Sequence, residues 1–217
     1  MHPHLRIRGL SELDDIALAR AVTLFWQAFA RKLGPVLGRG PDVARRLAGV
    51  ARPDHALVAV DDAGVVRGVI GFCSPGSSFV PLSLADLQEW HGRLSGRLRW
   101  RMLLAHGQDS DRARFVIDGL AVDPDWRGRG VGTALLAAAG HLGLARGHDL
   151  MRLDVAVENL RAHALYLRLG FRQTGLMPTG IWAPVLGTRG SRIMQRDLHD
   201  PWPNGGQSTV LRSASAP

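Results

Sequence analysis

Phe115-Val116-Ile117-Asp118-Gly119-Leu120-Ala121-Val122 runs through Asp123-Pro124-Asp125-Trp126 into Arg127-Gly128-Arg129-Gly130-Val131-Gly132-Thr133, and this stretch decides how the chain is read. The first eight residues form a near-continuous apolar strand broken only by Asp118. Leu135, Leu136, Ala139 and Leu142 then share one face of a helix that stops at Gly147. A glycine-rich turn between a strand and a helix is an anion site in principle. Glycines let backbone N–H groups converge without Cβ clashes, and the helix N-terminus carries about half a unit of positive charge. Arg127 and Arg129 add cations suited to phosphate oxygens. For the turn alone, three readings stay open. A P-loop needs Gly-Lys-Ser/Thr, whereas Gly132-Thr133 has no lysine. A dinucleotide fingerprint needs G-x-G-x-x-G against the G-x-G-x-G found, although Asp154 falls at about the distance of a ribose-binding acid. The third is a plain packing turn that caps a helix.

Outward from this stretch, Leu150–Val157 reads as a strand, Asn159–Leu169 as a helix closed by Gly170, and 171–176 and 192–196 as final strands. Upstream, 56–60 and 65–73 form a hairpin around Asp61-Asp62-Ala63-Gly64. Residues 4–8 read as a first strand. Ser11 has the look of an N-cap, with Asp14 three residues on, for a helix carrying Phe25 and Phe29 that Gly34-Pro35 stops. A short helix follows at 41–49, with Pro41 in its first turn. Ser74–Arg114 is too long for a plain connection and is expected to hold an extra helix pair or a substrate-side insert. The Pro-, Gly- and Ser-rich 199–217 reads as a disordered tail. One domain over 4–198 is expected, α/β with an α+β mixed character: strands and helices alternate behind a hairpin around a mixed sheet.

Composition narrows the class. A 217-residue chain with 46% hydrophobic residues can bury its own core. The lone Cys73 excludes an internal disulfide. No apolar run reaches the roughly 20 residues of a membrane span, and the N-terminus lacks a signal-peptide core, so the expectation is a cytoplasmic protein with no membrane partner. The net charge of +8 and pI of 11.3 suggest nucleic acid at first sight. Against this, the arginines are scattered, Lys32 is the sole lysine, and aromatics are only 6%, too few for base-stacking platforms. A positive field equally suits a polyanionic small molecule. His106, His141, His148 and His163 have no metal-ligand spacing, and no metal is expected.

What resolves the turn is its partner. Leu120-Ala121-Val122, then Arg127-x-x-Gly130-x-Gly132, then Asn159-x-x-Ala162-x-x-Leu165-Tyr166-x-x-Leu169-Gly170-Phe171 resembles the GNAT acyltransferase superfamily, from about Phe115 to Leu176. The resemblance implies a central mixed, largely antiparallel sheet flanked by helices and splayed open after the strand ending at Val122. It implies acetyl-CoA as acyl donor, its pantetheine arm bonded to the backbone of Leu120 and Val122, with Ala121 between them in the cofactor-binding stretch. The pyrophosphate would sit on the N–H groups of Arg129, Gly130, Val131, Gly132 and Thr133, with Arg127 and Gly128 in the same cofactor-binding turn and Asn159 against the cofactor. Tyr166 would be the general acid that protonates the departing thiolate, and it is the sole tyrosine. The Val122 N–H is the candidate donor to the oxyanion.

The implied activity is transfer of an acetyl group to a primary amine by direct attack. The acceptor is a small molecule or a peptide, and oligomeric state stays open, a homodimer included. The alternative is an acyl-CoA-binding sensor or regulatory module without turnover. Deprotonating the amine needs a base. By strand alternation Val116, Asp118, Leu120 and Val122 share a face, and Asp118 is the charged member. Asp118 is the candidate base, weighed against a purely structural role. Asp154 and Glu158 read as structural acids, Cys73 as core, and His163 as part of a solvated face.

Overall fold

The computed structural model describes residues 5–40, 42–74, 76–104, 114–180, 183 and 187–203. Seven strands build one sheet: β1 Arg6–Gly9, β2 Ala56–Val60, β3 Val66–Phe72, β4 Arg114–Val122, β5 Leu150–Ala156, β6 Arg172–Pro178 and β7 Gly190–Asp197. Their spatial order is β1-β2-β3-β4-β5-β7-β6, and every neighbouring pair is antiparallel except β4–β5. The mixed, largely antiparallel sheet expected from the sequence is present, flanked by helices α1 Asp15–Leu37, α2 Asp42–Val50, α3 Leu84–His91, α4 Arg93–Leu104, α5 Val131–Ala145 and α6 Leu160–Arg168.

Strand alternation sends apolar side chains to both faces, so there are two cores. One, under α5 and α6, gathers Ile70, Phe72, Phe115, Leu135, Leu136, Met151, Leu153 and Phe171. The other, under α1, gathers Val22, Leu24, Phe25, Val58, Val69 and Phe79. Each buried Leu or Phe contributes about 2 kcal/mol of transfer free energy. The cores pin the sheet between two helical layers.

The edges of elements depart from the sequence reading where long-range contacts intervene. The cap of α1 is Asp14, whose carboxylate accepts the Ala17 N–H at 2.9 Å; Ser11 sits in a preceding 3-10 turn. The same helix runs past Gly34-Pro35 to Leu37. Proline forfeits one helical hydrogen bond there. The last turn is held anyway, because Val36 and Leu37 are buried and Arg99 donates to the carbonyls of Pro35 and Val36 at 2.9 and 2.8 Å. Pro41 lies outside the described residues. The Ser74–Arg114 region contains the helix pair α3–α4, opened by a Ser83–Asp86 capping box.

His199–Pro203, assigned to a tail from composition, pack onto the domain. Arg196 on β7, only 2% exposed, donates to the carbonyls of Leu169, Asp200 and Pro201 and lies 4.0 Å over the Trp202 ring. That indole rests against Gly140 of α5, where an added Cβ would come within 2.5 Å of it. Proline and glycine content hid this, because one tryptophan and a buried guanidinium suffice to hold the segment. Residues 204–217 lie outside the described residues.

Candidate active site

The parallel pairing of β4 with β5 ends at Ile117↔Leu153. Beyond it, Asp118–Val122 and Asp154–Ala156 continue as strands without pairing to one another, so the sheet forks. On its other edge β4 stays paired with β3 up to Val122, and the Asp123 N–H donates to the Arg67 carbonyl at 2.8 Å. In an antiparallel ladder, hydrogen-bonded and non-hydrogen-bonded residues alternate. Gly119 and Ala121 therefore turn their backbone groups to β3, and Leu120 and Val122 turn theirs into the fork. Ala121, between them, turns its backbone to β3. The Val122 carbonyl accepts from Arg127 Nε at 3.1 Å.

A β-bulge interrupts β4 at the fork. Gly71 faces Gly119 but Phe72 faces Ile117, which leaves Asp118 as the extra residue. The bulge breaks the simple alternation that put Asp118 on one face with Leu120 and Val122. Phe115, Ile117, Leu120 and Val122 pack on the α5 side, whereas Gly119 and Ala121 lie on the α1 side. Gly119 has no room for a Cβ, since the rings of Phe25 and Phe29 would stand at 2.7 and 2.8 Å. Asp118 belongs with this α1 side: the N–H groups of Val80 and Phe79 donate to it, and Lys32 of α1 acts on it.

The turn after β4 is held by Asp123, which is buried and accepts from Arg20 at 2.7 Å, Arg67 at 3.3 Å and the Asp125 N–H at 3.2 Å. Burial pushes its carboxyl up, but the Asp125 N–H and the two guanidiniums outweigh that and hold it below the usual carboxylate range. Trp126 lies between Arg67 and Arg129, whose guanidinium carbons are 5.2 and 5.4 Å from its ring centre. Gly130 takes the left-handed conformation (φ 82°, ψ −2°) that opens α5, and no side chain caps that helix. The Arg127–Thr133 turn thus presents its N–H groups at a helix N-terminus, flanked by exposed arginines, at the open end of the fork.

Tyr166 lies on α6 on the α5 side of the sheet. It is 9% exposed, with Phe171 5.7 Å away centre to centre, and burial pushes its phenol up to about 12. The hydroxyl therefore stays protonated, and can donate, throughout the physiological range. Asn159 caps α6, its side-chain oxygen accepting the Ala162 N–H at 3.1 Å; only its amide NH₂ is left for other partners. His163, expected on a solvated face, is half-buried with Nε2 enclosed, one turn before Tyr166.

On the α1 side the groups are charged. Asp118 is open to solvent, yet protein atoms crowd around it. This burial outweighs the Val80 and Phe79 N–H groups and the charges of His55 and Lys32, and lifts the carboxyl to about 6. Asp154, on the opposite lip, pairs with the buried Arg152 at 3.2 Å. Lys32 is half-buried and feels both acids. Burial, then the Asp118 charge, pushes the Cys73 thiol to about 12, which leaves it protonated and a poor nucleophile. Glu158 accepts from the Thr188 hydroxyl at 2.8 Å and the Arg189 N–H at 2.9 Å, a structural tie onto the start of β7.

Two features escaped the sequence. One is the approach of Lys32 to the fork, which needs the packing of α1 across β4. The other is the row Asp54–His55–Ser74 at 3.1 and 2.7 Å. Its geometry at His55 Nδ1 is off-line for a hydrogen bond, so it pins the entry of β2 to the turn after β3 and does not make a proton relay. Among the described residues no group of three or more His, Cys, Asp or Glu is arranged to hold a metal, and no helix is long and apolar enough to cross a membrane.

Comparison with known proteins agrees with this geometry. A stretch of 98 residues is 40% identical to the mycothiol acetyltransferase of Clavibacter sepedonicus, spanning 45% of this chain and 30% of that protein. A 77-residue stretch is 36% identical to an aminoglycoside N(6')-acetyltransferase type 1 of Stenotrophomonas maltophilia, spanning 36% of this chain and 50% of that one. The chain thus spans half or less of the length of these curated relatives. Among solved structures, a GCN5-related N-acetyltransferase from Kribbella flavida matches with a TM-score of 0.56 at 20% identity, over 89% of this chain and 97% of that one. Salmonella typhimurium yncA, solved with its cofactor acetyl-CoA, matches with a TM-score of 0.57 at 20% identity, over 91% and 95%. These structures share the fold. The Acetyltransferase (GNAT) family matches residues 25–171, more than half of the sequence, and the chain belongs to that family.

Proposed function

We propose that the protein transfers an acetyl group from acetyl-CoA to a primary amine by direct attack across the fork, with Tyr166 as acid and Asp118 as base. The observation that carries the reading is the two-sidedness of the fork: a neutral, buried phenol on the α5–α6 side and a raised carboxyl on the α1 side. Acetyl-CoA supplies an acyl thioester when bound. The groups present fit it. Leu120 and the N–H of Val122 offer strand backbone unpaired with β5 to a polyamide arm. The uncapped start of α5, with Arg127, Gly128, Arg129, Gly130, Val131, Gly132 and Thr133, suits a pyrophosphate. The amide NH₂ of Asn159, at the start of α6, is a further donor for the cofactor.

Asp118 takes the proton from the attacking amine, a task for which a carboxyl near 6 is better suited than one near 4. The Val122 N–H supports the negative charge that develops on the acyl oxygen. Tyr166 gives its phenolic proton to the departing sulfur. An N-acetyl product also agrees with a relative named for N-acetyl transfer. A cytoplasmic location, and one domain running from β1 to Trp202, go with this assignment.

The test is steady-state thiol release with a panel of primary amines. Tyr166→Phe is expected to lower kcat by about a hundredfold or more at every pH, the scale of a lost general acid. Full kcat in that variant would remove Tyr166 from the mechanism. Tight acetyl-CoA binding without release to any amine would favour the sensor alternative.

A further inference from the structure

The α1 side of the fork contains a charge that the proposed transfer does not use. Helix α1 crosses β4 in a fixed register: Arg20 bonds Asp123 past the end of the strand, Phe25 and Phe29 stand against Gly119, and Lys32 follows one turn further along the same helix. Lys32 lies within electrostatic reach of Asp154 and, less strongly, of Asp118, the two residues at which the lips of the sheet part. Among the described residues no carboxylate comes within ion-pair distance of its ammonium. It is half-buried, and the loss of water outweighs both acids, so that its pKa is lowered. A cation partly stripped of water and left without a counterion at contact distance is unfavourable unless something anionic joins it.

The charge balance of the fork says what that is. Asp154 is already paired with Arg152. Of the two acids that act on Lys32, Asp118 is the one with no ion pair among the described residues. A simple cationic amine entering beside Asp118 would be attracted by the carboxylate and repelled by Lys32. A zwitterion of amino-acid type gives each charge an opposite partner and brings no net charge into the cleft. This is also the one basic position, of 27, that carries lysine rather than arginine. A compact ammonium and a planar guanidinium meet a carboxylate differently and are not interchangeable.

We propose, on the basis of the acetyl transfer assigned above, that Lys32 is a specificity-determining residue that binds a carboxylate on the acceptor, and that the acceptor is an amino-acid-type zwitterion with its amine at Asp118.

The experiment pairs free α-amino acids with their primary amides, which keep the amine and lose the negative charge. Thiol release is measured with acetyl-CoA for the full chain and for Lys32→Met and Lys32→Arg. Binding of each acid and amide to the protein saturated with CoA is measured by calorimetry. The wild type is expected to favour acids over amides by about tenfold or more in kcat/KM, the scale of one charge-assisted hydrogen bond. Lys32→Met is expected to bring that ratio near one, in turnover and in binding alike, and Lys32→Arg to restore part of it. Equal use of acids and amides by the wild type, or an equal loss for both in Lys32→Met, would overturn the proposal and leave the transfer reading standing. Acetylation of Lys32 itself, read by mass spectrometry of the sole lysine-containing site, would also overturn it, because the residue would then be an acceptor. If no amine is acetylated, the transfer reading fails, and the calorimetric ratio still decides whether Lys32 selects a carboxylate.

Discussion

On the α5–α6 side of the fork the groups at hand are backbone amides, glycines and one phenol; on the α1 side they are the side chains of Asp118, Asp154 and Lys32. Apart from the phenol, which α6 supplies, the first side is assembled from consecutive residues. A strand end, a turn and a helix start place the N–H groups of Gly128–Thr133, and the distant Arg20 and Arg67 only brace that turn through Asp123. The second side exists only because α1, the bulge in β4 and the strand β5 meet in space. The difference suggests a division of labour: local backbone geometry suits a donor common to a whole family, and side chains gathered over long distances suit the acceptor.

Substitutions on the two sides should therefore fail in different ways. The largest effect is expected from Tyr166→Phe, about a hundredfold or more in kcat with little change in the KM for acetyl-CoA. If KM moved instead, the phenol would be part of donor binding. Next is Asp123→Asn, which leaves Arg20 and Arg67 facing a neutral amide. Its carboxyl is held below the usual range in the folded state, so its contribution is present at neutral pH and is lost as pH falls through the folded value. A loss of about 3 kcal/mol is expected at pH 7, shrinking towards nothing in acid, as denaturation followed against pH would show. A loss that stays constant with pH would mean packing, not charge, holds the turn. Smaller again is Gly130→Ala, where a Cβ at φ 82° costs about 1 kcal/mol of strain and should raise the KM for acetyl-CoA without changing the acid-to-amide ratio of acceptors. A changed acceptor ratio would blur the separation of the two sides.

The same contrast explains what was legible in the sequence. The strand at 56–60, the hairpin turn at Asp61–Gly64, the β4–turn–α5 unit and the α6 motif all rest on local periodicity and turn chemistry, and they appear where expected. Alternation failed at Asp118 because a bulge depends on the register of two strands far apart in sequence. Helix α1 outlasts Pro35 because Arg99, 64 residues away, bonds the Pro35 carbonyl, a contact that local sequence does not carry. Trp202 was lost inside a stretch whose composition looks disordered, although Arg196 and Gly140 give it a seat. Lys32 had no signal at all beyond being the sole lysine, since its meaning comes from what α1 crosses.

The central claim is that Asp118, at the fork, takes the proton from the acceptor. Burial raises its carboxyl to about 6, above the value of about 3.9 expected when unfolded. The native state then holds this proton more tightly than the unfolded chain, so stability from this group falls as pH rises between the two values. Asp118→Asn should thus raise Tm above pH 6 while lowering activity. The most direct measurement is the pH profile of kcat/KM for thiol release in the wild type and in Asp118→Asn. The account predicts an acid limb near pH 6 in the wild type that vanishes in the variant, with activity at pH 7.5 lower by about tenfold to a hundredfold. An acid limb that persists unchanged in Asp118→Asn, or a variant as active as the wild type, would contradict it.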